Sequence, residues 1–405
     1  MSRVLIVGAG PCGASLAWLL ASRGIEVELL ERQLDFAREF RGEVLMPSGV
    51  EALHEMGLGD VLESVPREML PGIEAYLNGE RRFEVTFDGD AFAECPPQAI
   101  SQPPLLEAIC AKASAAFPHF RLRRGATAKS LSIEDGRVAG ARVRAADGES
   151  ELRADLVIGT DGRASVVRRQ GGFESQEVSP PLDVVWFKIP CPRDLRFARS
   201  YAGRGNLLLC YRAPGDLLQV AWVIIKGSFG SLKARPIEEW GAQMADHISP
   251  DLAEHIQANM DALTRPFLLD SVSDRAKTWS RPGAMLLGDA AHTMSPVGGQ
   301  GVNIALRDAV VAANHLVPVL TKGATPDAEA LSEAMRAIER ERMVEVERIQ
   351  RIQSMPPRVG FNQPRLGEPL RRIAFGLLSR PGFRSFIAPR STEIAFGVTD
   401  VRLTV

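Results

Sequence analysis

The first thirty-one residues constrain the fold more than any other stretch. Arg3 to Val7 is a short β-rich run, Ile25 to Leu30 is a second, and a helical stretch from Ala14 to Ser22, ended by Gly24, lies between them. The seam between the first strand and the helix reads Gly8-Ala9-Gly10-Pro11-Cys12-Gly13, a G-x-G-x-x-G. In that position each glycine has a mechanical reason: Gly8 for a tight turn, Gly10 for close approach of a pyrophosphate, Gly13 for close packing of helix on sheet. Pro11 and Cys12 complete the loop that would face the phosphates. Glu31, eighteen residues beyond Gly13, closes the second strand. A carboxylate there accepts hydrogen bonds from both ribose hydroxyls of an adenosine, which favours FAD or NAD over a 2′-phosphorylated nucleotide. Arg32 is placed to lie over the adenine. The pattern predicts an α/β, Rossmann-like start.

A second stretch, Gly288-Asp-Ala-Ala-His-Thr-Met-Ser-Pro-Val-Gly-Gly-Gln-Gly-Val-Asn303, follows the short apolar run Ala284 to Leu287 and precedes an amphipathic run, Val302 to Leu320. Strand, glycine-rich turn and helix again aim backbone N–H groups and a positive helix end at one spot. A third stretch, Asp155 to Arg168, reads as an apolar strand ending in Asp161-Gly162, with Ser165 and Arg168 at fixed distance.

These three motifs, in this order, resemble the fingerprints of the FAD-dependent monooxygenases of the aromatic-hydroxylase (p-hydroxybenzoate hydroxylase-like, class A) family. The resemblance implies non-covalent FAD, with Asp289 on the ribityl chain, Pro296 beside the isoalloxazine ring, and the backbone from Gly301 through Val302 and Asn303 at the flavin O2/N1 edge. It implies that Asp161 contacts FAD in a motif often tied to nicotinamide binding, that Gln102 meets the cofactor, and that Arg41 lies near the flavin and its access channel. Only one dinucleotide fingerprint is present. That fits a single-component enzyme in which NADH or NADPH binds transiently and dioxygen forms a flavin C4a-hydroperoxide. This oxidant would hydroxylate, epoxidise or N-oxidise an aromatic or other small hydrophobic substrate. An isoprenoid-type FAD reductase is the enzymatic alternative and a non-catalytic flavin-binding protein the other. A halogenase is disfavoured, because no lysine precedes Lys112 and Trp186-Phe187-Lys188-Ile189-Pro190 has a single tryptophan.

The resemblance divides the chain into FAD-binding parts at 1–70, 101–170 (with a β-meander) and 281–325. A mixed-sheet substrate lobe takes 71–100 and 171–280, and C-terminal helices take 326–405. Asn78-Gly79 marks a hairpin in the first lobe segment. In the second, Val184 to Ile189, Leu207 to Arg212 and Leu217 to Ile225 read as strands and Pro236 to Ile256 as a helix. Lys188, Tyr211, Gln219 and Trp222 are candidate substrate-facing groups, and Tyr211 is preferred because strand alternation puts it on one face with Leu207 and Leu209. Asp327 to Met355 reads as a long solvated helix ended by Pro356-Pro357, and two further short helical runs are expected after Pro364.

Composition narrows the rest. With 48 basic against 50 acidic side chains, nothing points to nucleic acid. Five scattered cysteines without a C-x-x-C, and six histidines without ligand spacing, argue against zinc and structural disulfides, and place the protein in the cytoplasm. Val4 to Leu20 is interrupted by glycines and Pro11, unlike a secretory signal, and Arg307 and Asp308 keep the most apolar helix from being a membrane span.

Overall fold

The computed structural model describes residues 2–37, 43–177, 182–203, 206–270, 273–323, 325–354 and 392–405. Two large sheets organise them. The first has six strands in the order Ser280–Arg281, Ala284–Leu286, Leu156–Gly159, Arg3–Val7, Glu26–Glu31, Phe120–Arg124. All pairings are parallel except the terminal hairpin. Its central strands are buried on both faces, which is why they read as continuous apolar runs. One face packs against the fingerprint helix Pro11–Ala21 and, beyond it, the helix Gln300–Leu320. The latter is buried around most of its circumference, as a helix through the middle of a core must be.

The three-stranded meander Thr127–Glu134, Arg137–Ala145, Gly148–Arg153 sits beside this sheet, and Asp135 and Gly136 make its first turn with positive φ. The second large sheet has seven strands: Phe267–Asp270, Leu182–Pro190, Leu217–Ile225, Asn206–Ala213, Ala198–Gly203, Gly72–Leu77 and Glu80–Thr86. Neighbours are antiparallel except Ala198–Gly203 with Gly72–Leu77. Asn78 (φ 52°) and Gly79 (φ 81°) form the expected hairpin turn. One face of this sheet is sealed by two helices, Ile237–Ala245 and Pro250–Ala258, over Val185, Phe187, Leu208, Val220 and Trp222. The expected single helix over Pro236 to Ile256 is therefore two. Pro250 holds Ser249 extended at ψ 147°, and the chain restarts there.

The long helix is observed at Ala328–Gln353, with the Asp327 side chain accepting from the Ala330 N–H as an N-cap. Its reading as a solvated helix is corrected: one face is buried and carries charge. Arg342 pairs with Asp308 (2.7 Å) and Glu345 (2.5 Å), and Arg307 pairs with Glu345 (3.0 Å), all at 2% exposure or less. The i,i+4 charge pattern misled because buried and exposed ion pairs share it. The expected break at Pro356-Pro357, and the helical runs after Pro364 up to residue 391, lie outside the described residues.

Asp308 ties this network to the turn at Gly288. It accepts the Gly288 N–H (3.0 Å), His292 Nε2 (2.7 Å) and Arg342 Nε (2.7 Å). Burial pushes its carboxyl up, but His292 and Arg342 outweigh that and hold it at about 2. The ordinary value is 3.8, so the stabilisation is fully present above that pH and is lost as pH falls through about 2. Asp308→Asn should cost roughly 3–5 kcal/mol, since it strands a buried guanidinium. Denaturant titration at neutral pH checks this, and the gap between wild type and variant should narrow as the pH is taken below 3.8. A gap that is constant with pH would show that the lost interaction is not that of an ionised carboxylate.

Candidate active site

Four neighbouring strands of the parallel sheet end at one edge, and each ends in a motif residue. In sheet order, Ala284–Leu286 leads to Gly288 and Asp289, Leu156–Gly159 to Asp161, Arg3–Val7 to Gly8, and Glu26–Glu31 ends in Glu31 itself. Chain order reverses between Arg3–Val7 and Leu156–Gly159, so the edge is a topological switch point, where open α/β sheets bind ligands.

The contacts between the motifs are tight. A Cβ on Gly8 (φ 103°) would lie 2.7 Å from Asp161 Cα and from the Thr160 carbonyl oxygen, so only glycine lets the first turn sit against the third motif. A Cβ on Gly13 would lie 2.0 Å from the Gly8 carbonyl oxygen. Thr160, unremarked in the sequence, donates from its hydroxyl to the Gly8 carbonyl (2.7 Å). Cys12 is buried against Gly288, and burial pushes its thiol well above the ordinary range. Pro11 occupies the first turn of its helix, where a missing N–H costs nothing.

Gly10 and Gly301 differ from these. A Cβ on either would meet no atom within 4 Å. Both therefore border open space that a ligand can enter, at the N-terminal ends of two different helices whose first N–H groups have no partner in the helix. Such a cradle fits the pyrophosphate and ring edge of a dinucleotide.

The acids are placed around it. Glu31 is buried and accepts the Ala9 N–H (3.2 Å) and the Gln33 N–H (3.0 Å), which ties it to the Gly8–Gly13 loop; Arg32 beside it is exposed. Asp289 lies 3.6 Å from Arg163, which also donates to the Asp270 carbonyl. Arg163 was not singled out from sequence; its place one residue after Asp161-Gly162 was the available signal. Asp161 accepts from the Ser165 hydroxyl (2.5 Å) and the Val166 N–H (2.6 Å), so its carboxylate caps the short helix Val166–Gln170.

Pro296 is partly exposed just ahead of Gly298 and Gly299, which take φ of 76° and 63° to turn the chain into the helix Gln300–Leu320. Val302 and Asn303 are buried in its first turn. The Asn303 side chain accepts the Met46 N–H (2.9 Å) and donates to the Val44 (3.2 Å) and Gly299 (2.8 Å) carbonyls, fixing this helix end to the chain that follows Glu43. Gln102 starts the helix Gln102–Ala116, and its N–H donates to Glu43 Oε1 (3.2 Å). Arg41 lies outside the described residues.

Of the lobe candidates, Lys188, Gln219 and Tyr211 share the face opposite the two sealing helices. Trp222 is on the sealed face against Trp240 and is no longer a candidate for contact with substrate. Tyr211 is buried, and its phenol is pushed above its ordinary range by burial and by Glu43.

Comparison with known proteins agrees with this arrangement. Residues 1–345 match the family model described as FAD binding domain. A 6-methylpretetramide 4-monooxygenase of Streptomyces rimosus is 31% identical over 99% of this chain and 93% of its own length. Among solved structures, p-nitrophenol 4-monooxygenase PnpA from Pseudomonas putida DLL-E4 superposes with a TM-score of 0.80 at 18% identity, over 99% of this chain and 100% of its own. PqsL of Pseudomonas aeruginosa gives 0.77 at 22% identity, over 89% and 96%.

The glycines make a test. Gly13→Ala should destabilise the fold by roughly 3 kcal/mol or more, because the added methyl meets backbone. Gly10→Ala should stay within about 1 kcal/mol of wild type. Thermal unfolding of the two proteins stripped of ligand measures the difference, and equal losses would refute the division between packed and open glycines.

Proposed function

We propose, for a chain that belongs to the family of FAD-binding monooxygenases, that it hydroxylates a small oxygen-bearing aromatic substrate with electrons from NADH or NADPH. The observation that carries this reading is the convergence of four strand ends on a cradle bordered by Gly10 and Gly301. No helix among the described residues is long and apolar enough to cross a membrane, and the five free cysteines fit action in the cytoplasm.

In this reading Glu31 takes the adenosine ribose and the Gly8–Gly13 loop the pyrophosphate, with Pro11 and Cys12 lining it. Asp289, steadied by Arg163, takes the ribityl hydroxyls. Pro296 borders the ring, and Gln102 and Arg41 stand on the approach to it. Bound flavin supplies the activation of dioxygen. The protein's part is to hold and to exclude water. The N–H groups of Gly301, Val302 and Asn303, and the helix behind them, would hold the ring edge and would supply partial positive charge to it. One oxygen atom enters the product, the other leaves as water, and one NAD(P)H is oxidised. No protein nucleophile is needed.

Purified protein should be yellow and should release FAD, not FMN, on acid precipitation. Asp289→Ala should weaken FAD binding about ten- to a hundredfold, the worth of hydrogen bonds to a charged acceptor, while Gly10→Ala loses FAD without losing stability. Fluorescence titration of the apoprotein measures both, and an unchanged FAD affinity in Asp289→Ala would reduce that residue to a turn former. With labelled dioxygen, product should carry one labelled atom per NAD(P)H consumed. Label arriving from water, or product formed without oxygen, would overturn the monooxygenase assignment of the substrate step.

A further inference from the structure

Residues 392–405 join no sheet among the described residues, and beyond one helical turn at 392–396 they have no regular structure. Side chains of other elements hold their backbone instead. The N–H groups of Val398, Leu403 and Thr404 donate to Glu345 (2.8 Å), Glu55 (2.9 Å) and Asn314 (2.8 Å). The carbonyls of Ile394 and Arg402 accept from Gln300 (2.9 Å) and Asn314 (2.7 Å), and that of Thr399 accepts from Arg307. Six main-chain groups are thus met by five side chains on three helices, Pro47–Glu55, Gln300–Leu320 and Ala328–Gln353.

One end of this segment meets the loop that leads into the helix Gln300–Leu320. A Cβ on Gly298 would lie 3.3 Å from Ile394 Cγ2. Gln300 is 2% exposed, and its amide nitrogen donates to the Ile394 carbonyl and to the Gly298 carbonyl (3.0 Å), which uses both of its hydrogens. Ser295, at the start of the loop, is fixed by Gln353, and Asn303, after it, by Val44 and Met46. Between those anchors Gln300 ties the positive-φ glycines Gly298 and Gly299 to the segment, and the N–H groups of Gly301, Val302 and Asn303 follow it directly.

Satisfied backbone groups give the segment one specific position. It can still come away without breaking a strand ladder or a helix, so its opening costs far less than global unfolding. Opening would also remove the Ile394 carbonyl from Gln300 and the Ile394 side chain from Gly298. Two consecutive glycines then have many conformations besides the observed turn.

We propose that the segment 393–404 is a clasp on the cofactor loop and that Gln300 is the positioning residue through which it acts, so that docking of the segment and binding of FAD strengthen each other. The docked segment holds the loop in the turn that aims the first helix N–H groups at the flavin. Linkage makes the effect mutual: bound FAD holds the loop, and the held loop retains the segment. This rests on the FAD-binding reading and adds to it a second place from which cofactor affinity is set.

The test is hydrogen–deuterium exchange of peptides covering 392–405 in the full chain, with and without saturating FAD, together with FAD titration of the apoprotein. In wild type, bound FAD should slow exchange there about tenfold, a usual strength of coupling between sites. Gln300→Leu removes both amide bonds. It should raise the FAD Kd about tenfold and abolish the FAD-dependent protection, whereas a loss of packing alone would leave that protection in place. The double variant Glu55→Ala/Asn314→Ala acts from a distance, since Asn314 lies about 21 Å along the helix from Gln300. It should speed exchange at 398–404 and raise the FAD Kd about threefold or more. Wild-type exchange that ignores FAD would overturn the proposal. So would a double variant that fails to loosen the segment, or loosens it with FAD affinity unchanged. Gln300→Leu with normal FAD affinity would remove Gln300 from its proposed role. A wild type that takes up no FAD would instead overturn the underlying reading.

Discussion

A buried carboxylate is the joint on which the cofactor end of this molecule depends. Asp308 sits inside the helix Gln300–Leu320, yet its oxygens reach the first residue of the Gly288 turn, the ring of His292 four residues on, and Arg342 on the long C-terminal helix. Arg342 in turn shares Glu345 with Arg307, and Glu345 accepts the Val398 N–H (2.8 Å). One charge thus fixes the turn that carries Asp289 to two helices and to the chain's last residues. A buried ion pair is weak evidence for stability by itself, because desolvation offsets attraction. Its use here is geometric: a loop with three glycines at positive φ, Gly288, Gly298 and Gly299, would otherwise have many conformations.

His292 shows the same economy of role. It lies in the most specific motif of the chain, where a histidine invites a catalytic reading. Its ring is 1% exposed, bonded to Asp308 and packed on Trp279 at a centroid distance of 4.9 Å. It is a strut between the turn and the helix Gln300–Leu320 that follows it.

Much of the fold was legible because backbone geometry demanded it. The strand Leu217–Ile225 was readable to the residue, since Gly215-Asp216 and Lys226-Gly227 bound it. The strands Phe120–Arg124 and Ala198–Gly203 were not, because they carry arginines and serine at positions that a sheet edge or a polar contact tolerates. The order of motifs along one sheet edge followed from the βαβ rule. What a linear reading could not supply was the side of the sheet on which a residue ends. Trp222 and Gln219 are three apart in one run and face opposite ways, and only the register against Leu182–Pro190 shows which way is which. The pairings of Glu43 and Arg163 were unreadable for a related reason: their partners, Lys188 and Asp289, are 145 and 126 residues away.

The lobe strands nevertheless carried a signal of their own. A strand covered on both faces reads as an unbroken apolar run, and Leu217–Ile225 and Leu182–Pro190 come close to that pattern. In such a run a polar residue has no solvent to face, so its presence needs a partner from outside the strand. Gln219 in one run and Lys188 in the next are such exceptions, and register places them side by side. Internal partners are present: Gln219 Nε2 donates to the Phe187 carbonyl (3.2 Å) and Lys188 pairs with Glu43 (3.7 Å). The amide oxygen of Gln219 and one oxygen of Glu43 are left over on the same side. A fold selected for stability alone would replace these groups with leucine or valine of similar volume at little cost. That the runs keep Gln219 and Lys188 side by side is a departure that only the register between the two strands makes visible.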